Sequence, residues 1–260
     1  RWRETIVDAG RYRALRAGEN YDSRIQKVSH IPEIQLYNEI KQFYRMFQTE
    51  ETEERLGVLE QVAKRIEKRI QDDIGMDVMG SVNMGQSQTG SDIDFVLYIR
   101  SGSGSAATPP MGEQYKNARR IIEETLKPRF AFQIMDCIDL DIVEKSIREK
   151  NYECEMTQRF VAYRSICRPI NYRVIAPVED LLNQDMEYRS ELEGSIRSYF
   201  QIFTNTSQHT RSFDKYESRI KSVGIKLPES IRLKVRQYLR RDGQRPERGP
   251  ADGGDAVEKG

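Results

Sequence analysis

Two aspartates one residue apart, Asp92 and Asp94, follow a Gly80–Ser81 pair across the polar spacer Val82 to Ser91. If Asp92 to Ile99 is a strand, its alternation puts both carboxylates on one face and sends Ile93 and Phe95 to the core. Carboxylates that close raise one another's pKa unless a cation neutralises them. Hard oxygen donors of this kind suit Mg2+ or Mn2+, which bind through a few carboxylates together with the phosphates of a substrate. Gly80 has no side chain to obstruct a phosphate, and Ser81 would open a short helix whose backbone N–H groups and hydroxyl favour an anion. One segment thus offers a phosphate cradle and metal ligands together; an ordinary turn running into an edge strand is the plainer alternative.

A third acid on a neighbouring strand would complete such a site. The segment Ala131 to Val143 alternates apolar and polar residues around Ile138, Leu140 and Ile142 and reads as a strand, so Asp139 and Asp141 are candidates on one face. Asp139 is the favoured one, because it lies deeper in the apolar run, whereas Asp141 approaches Glu144 and Lys145. Such a carboxylate would take the proton of an attacking hydroxyl, and paired metals about 3.5–4 Å apart would hold the attacking and leaving oxygens.

At these residues the chain resembles the DNA polymerase β-like nucleotidyltransferase superfamily. The signature of that superfamily is hydrophobic-Gly-Ser or Gly-Gly, a spacer, then Asp-hydrophobic-Asp or Glu-hydrophobic. Here Met79-Gly80-Ser81 opens it and Asp92-Ile93-Asp94-Phe95 closes it, and the resemblance covers Leu56 to Val143. It implies that Gly80 and Ser81 bind the nucleoside triphosphate, that Asp92 and Asp94 hold the metals, and that Asp139 or Asp141 is the third carboxylate. The implied reaction moves a nucleoside monophosphate, AMP being the first expectation, from a nucleoside triphosphate to a hydroxyl of a protein, small molecule or RNA, with pyrophosphate leaving. Two other readings stand beside it: a catalytically silent domain that holds nucleotide and binds a partner through its C-terminal helices, and template-independent extension of RNA.

Positioning such a site needs an α+β fold: a small mixed sheet forming the nucleotidyltransferase core at 29–148, a helical domain at 149–240 walling the cleft, an irregular segment at 1–28 and a disordered tail at 241–260. Apolar spacing predicts helices over 32–47 and 52–70, a short strand over 76–79, a helix over 113–126, and helical stretches over 154–167, 176–182, 186–203 and 228–239. Residues 101–110 are a flexible loop by composition. Arg159, Arg164, Arg168 and Arg173, with Tyr163 and Tyr172, could line a phosphate or RNA groove, although a charged helix face is the commoner arrangement. Lys145 and Lys150 are candidates to neutralise triphosphate, with solvated lysines the default.

Composition narrows the partners. Lys+Arg of 42 against Asp+Glu of 41 leaves a formal charge of +1, so no global field draws the chain to DNA or to an anionic membrane. Cys137, Cys154 and Cys167 have neither paired count nor C-x-x-C spacing, and no apolar run approaches a membrane span; the expectation is a cytoplasmic protein. His30 and His209 lack metal-ligand spacing, and no P-loop, G-x-S-x-G or dinucleotide fingerprint is present.

Overall fold

The computed structural model describes residues 29–70, 74–101, 112–203 and 206–241. The expected irregular segment 1–28, residues 102–111 of the Gly/Ser loop and the tail from 242 lie outside them. Strands β1 (Gly75–Val78) and β2 (Ile93–Ile99) form a central antiparallel pair. The edge strand β3 (Phe132–Asp139) runs parallel to β2, and β4 (Arg168–Ile170) antiparallel to β1, giving the order β3-β2-β1-β4. A small mixed sheet among many helices makes the fold α+β.

Two helical layers cover the sheet because β2 is apolar on both faces. Ile93, Phe95, Leu97 and Ile99 pack with α2 (Glu50–Ile70) and α4 (Glu113–Leu126), which contribute Leu59, Val62, Ile66, Ile121 and Ile122. Val96 and Tyr98 face the other layer. That layer contains α1 (Pro32–Arg45), α5 (Leu140–Arg148), α6 (Glu155–Ile166), α7 (Tyr172–Gln184), α8 (Met186–Phe203), α9 (Thr206–Ser222) and α10 (Glu229–Arg241). On α1, Ile34, Tyr37, Ile40 and Tyr44 recur at helical spacing and are buried, with Pro32 in the first turn. The short α3 (Gly80–Met84) joins β1 to the spacer before β2. Residues on both sides of 148 share one core cluster, so the expected boundary at 148/149 does not separate two cores. No helix among the described residues is long and apolar enough to cross a membrane.

The structure departs from the sequence expectation most clearly after β3. The strand expected to Val143 ends at Asp139, and α5 begins at Leu140. Asp139 caps that helix: its carboxylate accepts from Asp141 N at 3.0 Å, an arrangement that satisfies one of the orphan donors of the first turn. Leu140, Val143 and Ile147 then lie on the buried side of a helix, so the apparent alternation at Ile138, Leu140 and Ile142 spans a junction. Besides α5, two elements were not foreseen, β4 and α9, and α7 is longer than 176–182, accommodating Pro177 within it.

Arg164 is removed from any groove. It is fully buried on α6, paired with Asp77 of β1 and Glu179 of α7, while Tyr98 Oη donates to the same Asp77. This network ties two helices to the sheet directly beneath the segment that leads to Gly80.

Candidate nucleotide and metal site

Leaving β1, the chain turns at Gly80, whose φ of 55° lies in the left-handed region where a side chain is strained. A second constraint acts there, because a Cβ on Gly80 would lie 3.2 Å from Asp94 Oδ2. The Met79 N–H donates to Asp94 O at 2.8 Å, which fixes this approach. The glycine thus lets the backbone at the start of α3 lie against the carboxylate of β2. Ser81 follows, half-buried, with its Oγ 3.2 Å from Ser87 Oγ.

The spacer is held by a buried arginine of α2. Arg55 of α2 is buried and donates from Nη2 to the carbonyls of Gln88, Thr89 and Ser91 at 2.9, 3.1 and 2.8 Å, with its guanidinium over the Phe130 ring. Gln86 is anchored by donation to Tyr44 O and by Arg219 of α9. Asp92 is delivered by this clamped loop immediately before β2 and is exposed; Asp94, two residues on, is half-buried. Burial, with the Asp92 charge added, pushes the Asp94 carboxyl up to about 6. A carboxylate in that state gains from a cation.

Asp139 is not brought to this pair. In the parallel register Asp94 lies opposite Gln133, whereas Asp139 lies opposite Ile99 at the far end of β2, on the face that carries Ile93 and Phe95. It is 1% exposed and takes hydrogen bonds from Asp141 N and Ser101 Oγ. Asp141, in the first turn of α5, pairs with Arg100. The face of β2 that carries Asp94 instead has Asp136 beside it. A register shift between Phe95 and Val96 bulges Met135 outward, 45% exposed, and sets Asp136 opposite Val96, two residues beyond Asp94 on the same face. Asp136 accepts from Tyr163 Oη at 3.1 Å and lies 3.5 Å from Arg159 Nε, both on α6. Its signal in the sequence is Met135-Asp136-Cys137, an acid inside the same apolar run that drew attention to Asp139.

The remaining candidates are dispersed. Arg168 donates to Gln48 and Arg173 pairs with Glu67; Tyr172 donates to Glu179. Lys150 pairs with Asp185, and Lys145 is exposed on α5. His209 is held through Nδ1 by Tyr238 Oη at 2.9 Å.

No family model matches the chain, nor does any curated protein or solved structure. The chemistry therefore rests on the site itself. Among the described residues no group of three or more His, Cys, Asp and Glu side chains stands close enough to hold a metal. Asp92 and Asp94 are hard oxygen donors, and the backbone of Gly80 approaches the Asp94 carboxylate closely.

Proposed function

We propose that the chain is a metal-dependent nucleotidyltransferase, transferring a nucleoside monophosphate from a nucleoside triphosphate to a hydroxyl acceptor. The observation that supports this reading is the close approach of the Gly80 backbone to the Asp94 carboxyl of raised pKa, where an added Cβ would lie 3.2 Å from Oδ2. In this reading Asp92 and Asp94 hold Mg2+ or Mn2+, which neutralises charge on the phosphate oxygens when bound. Gly80 leaves space for the triphosphate, and the Ser81 hydroxyl donates to one of its oxygens. Asp136 accepts the proton of the acceptor hydroxyl as that oxygen bonds to the α-phosphorus; the bond from phosphorus to the pyrophosphate oxygen breaks and pyrophosphate leaves. Arg159 and Tyr163 hold the Asp136 carboxylate in place.

The test is release of pyrophosphate from α-labelled nucleoside triphosphates with Mg2+ or Mn2+ and an extract supplying acceptors. Wild type should transfer label, and Asp94→Asn and Asp136→Asn should each lose on the order of 10²-fold or more. Near-normal turnover in Asp94→Asn would sink the reading. The engagement of Asp136 by Arg159 and Tyr163 also favours a second reading, a domain that holds nucleotide without transferring it; tight Mg2+-nucleotide binding with no labelled product in any extract would select it.

A further inference from the structure

The sheet ends on β3, and the first half of that strand has an open edge. Ile93 N donates to Ala131 O at 3.0 Å, while Ile93 lies opposite Phe132 in the register. In a parallel ladder this turns the backbone groups of Ala131 and Gln133 toward β2, so Phe132 and Ile134 point their N–H and C=O away from the sheet. Farther along, the edge is closed: the Cys137 N–H donates to Asp136 Oδ1 at 2.8 Å, and Tyr163 of α6 donates to the other oxygen of that carboxylate. Phe132-Gln133-Ile134 has neither the charge, the proline nor the bulge that blunts an exposed edge, since the bulge comes only at Met135. Beside this open stretch runs a groove of about 710 Å³, within the ~300–1,000 Å³ of ligand clefts. Phe132 and Ile134, half-buried against the core of the α2 and α4 layer, form one side. The other side is α4, with Tyr115, Arg119, Glu123 and Lys127 spaced one turn apart. Arg119 Nε and Lys127 Nζ both donate to Glu123, each at 3.0 Å, so this wall sets two cations against one carboxylate.

We propose that this groove binds an extended peptide segment of a partner protein, which adds a strand to β3 at Phe132 and Ile134 and brings an acidic side chain to Arg119 and Lys127. An added strand lies about 4.7–4.9 Å from β3, where its backbone takes up the outward N–H and C=O groups of both residues. Every second side chain of that strand faces α4, so an apolar one packs beside Phe132, Ile134 and the Tyr115 ring while an acidic one meets the cations. Charge selects the occupant. The stems of Arg119 and Lys127 line the groove and their heads stay in water, leaving one surplus positive charge that favours Asp or Glu and repels Lys. A second copy of this chain fits less well, because its own edge, Arg129 to Met135, contains no acid and brings a further cation. The groove lies on the sheet face of Phe95 and Leu97, opposite to that of Asp94, so the proposal does not depend on the nucleotidyltransferase reading.

Selection of a phage-displayed library of short random peptides on the full chain tests this. Enriched sequences should carry apolar residues in alternation with Asp or Glu at one of the alternating positions. The strongest of them, made synthetically, should slow hydrogen exchange at the Phe132 and Ile134 amides. Ile134→Pro removes an outward N–H without touching the ladder to β2 and should abolish binding of that peptide. Arg119→Glu combined with Lys127→Glu, both on the exposed wall, should weaken it about tenfold, the scale of reversing two solvent-exposed charge contacts. The same peptide with Lys in place of its acid should bind that double variant more tightly than it binds wild type. Absence of any enriched sequence, binding untouched by Ile134→Pro, or indifference to the charge reversals overturns the proposal. So does self-association of the full chain in sedimentation that Ile134→Pro removes, because the edge then belongs to a second copy.

Discussion

Replacing Asp94 by Asn should stabilise the protein at neutral pH and leave it unchanged in acid. Burial and the Asp92 charge raise the Asp94 carboxyl from 3.8 to about 6. Because the folded-state value lies above the unfolded one, the cost of ionising this group is absent below about pH 4, grows as pH rises through that interval, and is fully present above about pH 6. At about 1.36 kcal/mol per pKa unit the interval sets a ceiling of about 3 kcal/mol. The side chain keeps much of its water, so solvent screening reduces this to about 1 kcal/mol. For a chain of this size that is a rise in melting temperature of roughly 2–4 °C. Thermal melts without divalent cation should therefore show the Asn variant above wild type near pH 7.5 and level with it near pH 4. Addition of Mg2+ with nucleotide should stabilise wild type and reverse the order. An Asn variant that melts no higher than wild type near pH 7.5 would refute the electrostatic argument. So would a gap that persists near pH 4, since it would then come from packing rather than charge.

Asp139→Ala should cost about 1–2 kcal/mol in urea unfolding by uncapping α5, with turnover retained in the surviving folded protein; loss of turnover at full stability would return Asp139 to the site. Arg55→Ala should free the carbonyls of Gln88, Thr89 and Ser91, destabilising by about 2–3 kcal/mol and accelerating amide exchange across 86–92 more than in α9. Unchanged exchange in that loop would show that it is held by other contacts. Arg164→Met leaves Asp77 and Glu179 buried without their cation and should cost about 3–5 kcal/mol by chemical denaturation; a cost under 1 kcal/mol would mean water reaches the cluster.

The elements most legible in the sequence are those whose signals are local. Met79-Gly80-Ser81 and Asp92-Ile93-Asp94 sit where a turn and an alternating strand place them, and the helices over 32–45, 50–70, 113–126 and 186–203 follow apolar spacing. The acid that shares a face with Asp94 was not legible locally. Its position depends on which residue of β3 lies opposite which residue of β2, and a bulge at Met135 reverses the face on which every later residue of β3 would otherwise lie. Counting alternation from Ile138 therefore points to Asp139, while the register points to Asp136. Arg164 reads as part of a groove or a charged helix face because its acid partners lie far along the chain, and the carbonyls that Arg55 holds are equally invisible to any window of helical spacing. The strand β4 is only three residues long, and α9 is carried by Phe213, Tyr216 and Ile220 among many charges.

The pairing of α1 with α10 bears on how the protein is made. Ile31, Ile34, Tyr37 and Phe43 share a core with Ile231 and Tyr238, and Glu39 pairs with Lys234. A ribosome delivers α1 well before α10, so the nascent chain carries an uncovered aromatic stripe until α10 emerges, a surface on which chaperones or aggregation act. The loop before Asp92 is held by Tyr44, Phe47 and Arg55 from earlier in the chain and by Arg219 of α9, and Tyr37 of α1 packs in one core with Phe213 and Tyr216 of α9. Chains that stop before α9 would display the acids without Arg219, Phe213 and Tyr216 packed into the fold.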